Sequence, residues 1–255
     1  VLSALSSETY FRVEEKSTER DLKQIYLLHL RRFQRDATTI NGSRLFTQDL
    51  FLLDGNPFFS TRFRFSDNSG LNNFSGGLEH SYSRERSARL RLQLIPELSQ
   101  QLDLVNRTDN LISREVSSRS RAITGNDLTL DFAYRPEPDL EVGFKVETAR
   151  STDWLPAVPV QADLNVQTIR TTYAFRGAGQ LHAEMGREEM RLSRTPDIFP
   201  YELTGGRVGG LTWVWRAAFD YRVTQFLQAT VNYDGRTEGG AAPVHTARAE
   251  VRAFF

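Results

Sequence analysis

The sequence predicts an antiparallel up-and-down transmembrane β-barrel of about 12–14 strands, whole or the C-terminal part of a larger one. Three observations predict it. Apolar and polar residues alternate with a period of two along most of the chain, charge gathers on one of the two faces, and short and long connections alternate between the runs.

The clearest run is 208–223. Leu211, Trp213, Trp215, Ala217, Phe219, Tyr221 and Val223 take one face; Thr212, Val214, Arg216, Ala218, Asp220 and Arg222 take the other. A helical period of 3.6 would mix these sets, whereas a strand separates them. Taken in order, the runs at 8–16, 22–34 and 44–53 are the weakest, and 22–34 reads equally as an amphipathic helix with Leu22, Ile25 and Leu28 or His29 on one side. Run 57–67 sets Phe59, Phe63 and Phe65 against Arg62 and Arg64, and 79–95 sets Ala88, Leu90, Leu92 and Leu94 against Arg89, Arg91 and Gln93. Runs 98–112 and 127–135 follow, the latter with Leu128, Leu130, Phe132 and Tyr134 opposite Asp131 and Arg135. Run 139–150 opposes Leu140, Val142, Phe144 and Val146 to Glu141, Lys145 and Glu147, and 165–176 opposes Ile169, Tyr173 and Phe175 to Arg170 and Arg176. Runs 179–193, 225–235 and 244–255 complete thirteen candidate strands in a single domain spanning 1–255.

Connections 35–43, 68–78, 113–126, 151–164, 194–207 and 236–243 are long and polar, while those near 54–56, 96–97, 136–138, 177–178 and 224 are short. Outer-membrane barrels have short periplasmic turns and longer extracellular loops, so the long set is expected outside the cell. Thirteen strands would start the chain outside, so either 8–16 is not a membrane strand or at least one strand lies upstream.

Composition narrows the function classes. The 32 Lys+Arg balance 32 Asp+Glu, which leaves no global field to attract nucleic acid. Only three of those cations are Lys (Lys16, Lys23, Lys145), leaving 29 Arg, the residue suited to partly buried ion pairs. With no Cys there is no disulfide or thiolate chemistry. Mean hydropathy is −0.45 and no apolar run is long enough for a membrane helix, but a barrel strand shows lipid only every second residue.

The last run ends with Val251, Ala253 and Phe255 at alternate positions, after Ala247 and Ala249. This ending resembles the C-terminal signal of bacterial outer-membrane β-barrel proteins, whose final aromatic is read by the barrel-assembly machinery. The segment Pro200 to Gly206 and the HTARAEVRAFF ending also resemble the C-terminal barrel region of large outer-membrane proteins. The resemblance implies a Gram-negative outer-membrane location, with lipid and the assembly machinery as partners.

Arg170, Arg216, Asp220, Arg222, Asn232, Arg248, Glu250 and Arg252 are the candidate lumen-lining residues, because an Arg toward lipid costs roughly 2–4 kcal/mol near the midplane. Trp213, Trp215, Tyr221 and Tyr233 are the candidate aromatic girdle. His80 beside Ser81 and Ser83, and His182 with Glu184, lack the third group of a catalytic set and the spacing of a metal site. The expected role is a porin-like passive pore for small polar solutes, without enzymatic activity or cofactor. The alternatives are a membrane anchor or translocon barrel whose upstream region carries the function and, remotely, a barrel hydrolase.

Overall fold

Period-two alternation makes a strand with two unlike faces, and such strands must share both their hydrogen bonds and their face assignment with a neighbour. The computed structural model describes residues 4–18, 38–74, 77–114, 116, 119–175, 177–194, 200–239 and 241–254. Twelve strands pair antiparallel in strict chain order. They are β1 (Leu5–Ser17), β2 (Thr39–Leu52), β3 (Phe59–Phe74), β4 (Gly77–Ile95), β5 (Leu98–Ser113), β6 (Arg121–Glu137), β7 (Leu140–Asp153), β8 (Val160–Phe175), β9 (Gly179–Leu192), β10 (Gly210–Thr224), β11 (Leu227–Glu238) and β12 (Val244–Ala253). One short helix, α1 (Tyr201–Thr204), lies between β9 and β10. Strands β1 and β12 are the edges, and no pairing joins them among the described residues.

Two expectations are corrected. The run 22–34 lies outside the described residues, but β1 pairs directly with β2 from Leu5↔Leu52 to Ser17↔Thr39, so no strand stands between them. The described residues form twelve strands, within the expected 12–14, and β1 starts at the same end of the sheet where β12 finishes. Second, 68–78 is not a loop. β3 runs to Phe74, β4 begins at Gly77, and Asn68↔Ser83 through Asn73↔Leu78 are ladder pairs. Connections 113–126 and 151–164 likewise shrink to 114–120 and 154–159. The polar residues that suggested loops are the upper ends of tall strands.

The register sorts side chains cleanly. Leu52, Phe63, Leu90, Leu104, Leu130, Phe144, Ile169, Met185, Phe219, Val231 and Val251 all fall on one face. That face is open: Leu104 is 46% exposed, Ile169 55% and Val251 66%. Apolar exposure spread over so many strands has no stable place in water and needs a lipid solvent. On β10 it runs from Trp213 to Val223, roughly 33 Å along the strand, or roughly 25 Å of membrane at a tilt of about 40°.

Above this band the same face turns polar, at Arg187 on β9, Gln167 on β8, Thr148 on β7, Asn126 on β6, Asn106 on β5 and Arg86 on β4. Following the register from Arg187 leads to Leu90 on β4, so the boundary climbs four residues across five strands. That is roughly 13 Å of rise over roughly 24 Å of sheet, a slope of roughly 30°. A flat membrane surface crossing tilted strands requires such a drift.

On the opposite face, the upper ends reverse the pattern. Ile123, Val160, Ala162, Leu164, Val166 and Met190 point there and form a buried cluster. What covers them is α1.

Candidate functional site

The polar face carries a wall of paired charges. Asp49 accepts from both Arg62 (3.1 Å) and Arg64 (2.9 Å) and is 5% exposed. Arg89 meets Asp103 at 2.5 Å, Lys145 meets Glu147 at 3.2 Å, and Arg216 meets Asp234 at 3.0 Å. Arg170 makes a bidentate contact with Asp131, at 3.0 and 2.7 Å, although β7 lies between their strands. The strand between contributes Gly143, where an added Cβ would meet the Arg170 side chain at 2.5–2.8 Å. Arg107 crosses Gly125 in the same way to reach Ser151 at 3.2 Å. Missing side chains thus let planar guanidinium groups lie flat across a strand, an arrangement Lys would not reproduce.

The register places Arg170, Arg216, Asp220, Arg222, Asn232, Arg248, Glu250 and Arg252 on this polar face. Arg170, Glu184, Arg216 and Asp234 form one row of alternating sign. Asp220 accepts from Thr230 at 2.6 Å, and Arg252 meets Glu250 at 2.6 Å. Arg222 and Arg248 have no ion pair among the described residues. Arg176 and Phe255 lie outside the described residues, while Val251 and Ala253 stand on the apolar face.

Trp213, Trp215, Tyr221 and Tyr233 stand on the apolar face at two levels. Trp215 lies over Gly235, whose missing side chain makes room for the indole, and its ring reaches His245 at 5.5 Å. Tyr233 stacks on His245 and shares a 2.8 Å hydrogen bond with its Nδ1. Toward the short-turn end, Tyr173, Phe175, Phe219 and Tyr221 form a second aromatic cluster.

Sequence reasoning missed the inward segment. Pro200 opens α1 with an extended backbone, and Gly205 closes it at φ 62°, its N–H donating to the Tyr201 carbonyl at 2.7 Å. Leu203 is 2% exposed against the buried cluster. Arg121 joins Asp109 (3.3 Å) to Glu202 (3.1 Å), and Arg207 approaches Glu188 at 3.5 Å and Glu147 at 3.9 Å. Gly205 and Gly206 are therefore the end of a docked helix, not a free loop entering a strand. A signal was present: a proline start, a glycine stop and a lone Leu between them.

Among the described histidines, His80 and His182 stand on opposite faces of the sheet. His80 points to the apolar face while Ser81 and Ser83 point to the other. His182 meets Thr172 at 3.1 Å and lies 4.0 Å from Glu184.

No protein-family model and no curated protein matches the sequence. Among solved structures, the siderophore receptor PirA from Acinetobacter baumannii matches with a TM-score of 0.70 at 8% identity, covering 98% of this chain and 41% of the receptor. OmpT, an outer membrane protein of Vibrio cholerae, matches with a TM-score of 0.43 at 8% identity over 98% of this chain and 96% of OmpT. The NanC porin gives 0.41 at 10% identity over 83% of this chain and 94% of the porin. The chain thus spans less than half of the receptor whose fold it shares. With its open apolar band and aromatic clusters at two levels, it has the fold of the β-barrels that span Gram-negative outer membranes.

Proposed function

We propose that the twelve strands form the wall of a porin-like pore for small polar solutes. One observation carries this reading. The polar face carries ion pairs from β2 to β12, and α1 and Arg207 pack against it at the end bearing the longer connections. Opposite signs alternate along the wall, which holds water without a strong field of either sign. The pore passes cations and anions alike, and no step of it is enzymatic. Membrane lipid and the barrel-assembly machinery are its partners, the latter through β12, and nucleic acid is not among them.

Purified protein reconstituted in planar bilayers tests this. Discrete current steps are expected, with little preference between cations and anions. Leu203→Asp buries a charge in the apolar seat of α1, unseats the segment and raises the single-channel conductance. Absence of any current, with the protein shown to be inserted, contradicts the pore.

A second reading has its own support. Among the described residues β1 and β12 each pair on one side alone, and 98% of the chain superposes on 41% of the siderophore receptor PirA. In this reading the twelve strands anchor, or form the translocating wall of, a larger outer-membrane protein.

A further inference from the structure

On the apolar face, the polar rows above the lipid band differ around the sheet. Over β7–β9 the cations are matched: Arg150 donates to Asp163 at 2.6 Å, and Arg187 and Arg191 both bind Glu189. Over β2–β4 they are not. Arg44, Arg84 and Arg86 share those rows with a single carboxylate, Asp67. Arg84 reaches it at 3.2 Å, and the Tyr82 hydroxyl donates to it at 3.1 Å. Arg44 and Arg86 have no ion pair among the described residues, and the buried Nε of Arg84 has no hydrogen-bond partner.

The guanidinium groups of Arg84 and Arg86 lie over rings. Arg84 lies 5.3 Å from the Tyr82 ring centre and 5.9 Å from that of Phe65, and Arg86 lies 5.8 Å from Phe65. A guanidinium over a ring keeps N–H donors available to a phosphate. A groove of about 1030 Å³ crosses the sheet from Gln48 on β2 to Arg191 on β9; Leu50, Phe63, Arg86 and Leu104 line the section over β2–β5, and the paired Arg150, Asp163, Glu189 and Arg191 line the section over β7–β9.

We infer that this patch seats a phosphate-bearing lipid of the leaflet at the long-connection end. Its phosphates lie on Arg84 and Arg86, and its acyl chains run down along Leu50, Phe63 and Leu104. Charge complementarity selects the occupant, because unmatched cations sit just above an apolar wall at the depth of lipid headgroups. With the longer connections outside the cell, that lipid is the phosphorylated glycolipid of the outer leaflet.

The test is binding of diphosphoryl lipid A to the purified protein in detergent, against its dephosphorylated counterpart and against inorganic phosphate. Wild-type protein is expected to prefer the diphosphoryl form and to lose that preference as salt rises. R84Q/R86Q is expected to weaken it by roughly 30-fold, at about fivefold per arginine. R187Q, on the matched side, is expected to retain it. Heat-modifiable gel mobility checks that each variant is folded, and if the double variant is not, the salt dependence of the wild type decides. Equal binding of both lipids, displacement by equimolar inorganic phosphate, or full affinity in folded R84Q/R86Q overturns the assignment.

Discussion

Leu102→Arg is expected to destabilise the folded protein in lipid by roughly 2–4 kcal/mol, while Val105→Arg, three residues along the same strand, is expected to be near neutral. The two positions face opposite ways on β5. Leu102 lies between Leu90 and Leu130 in the middle of the apolar band, where a guanidinium has neither water nor a counter-ion. Val105 lies between Ser87 and Asp127 on the charged wall, and one oxygen of Asp127 is buried without a hydrogen-bond partner. Equilibrium unfolding in urea from lipid vesicles measures both. Equal costs at the two positions would mean that the faces are assigned wrongly.

The second large effect concerns the edges. Half the residues of β12 aim both backbone groups away from β11, so leaving that edge in lipid costs on the order of 20 kcal/mol or more. The edge is therefore paired in the membrane. Among the described residues β1 and β12 do not pair with each other, but β1 starts at the end of the sheet where β12 finishes, so the two edges run antiparallel. Cysteine pairs scanned between Thr9 or Phe11 on β1 and Ala247, Ala249 or Val251 on β12 are expected to form a high-yield disulfide at one register in membrane-inserted protein, as a pore walled by these twelve strands requires. No disulfide at any register would instead show that the two edges pair elsewhere, as strands within a larger barrel do.

Much of the fold was legible because lipid imposes a simple rule. Wherever a strand crosses the apolar band, one face must be apolar, and runs such as Leu128–Tyr134 and Leu140–Val146 state that plainly. Above the band the rule lapses. There the face below which lipid begins meets water, as at Asp67, Ser69 and Asn73, and the other face packs on α1, as at Leu164 and Val166. Alternation weakens or inverts, so 68–78 resembled a loop. The direct pairing of β1 with β2 was hidden for another reason: antiparallel order depends on register, and 22–34 carried enough alternation to suggest a strand of its own.

The charged wall was legible residue by residue but not as contacts. Period two places Arg170 and Asp131 on the polar face, yet their meeting across Gly143 needs the register of three strands. The inward segment lay beyond alternation altogether, since its seat is built from residues of β6, β8 and β9 that are far apart in sequence.

The central claim is that one face of this sheet meets lipid over a limited height, with the charged wall behind it. Fluorescent labels placed singly along β8, read by brominated-lipid quenching, test it most directly. Labels at Ile169 and Tyr173 are expected to be quenched strongly. Asp163 and Gln161, on the same face but above the boundary, are expected to be quenched little, and Arg170 and Thr172, on the opposite face, not at all. Quenching at Arg170 equal to that at Ile169, or quenching undiminished from Ile169 up to Gln161, would contradict the account.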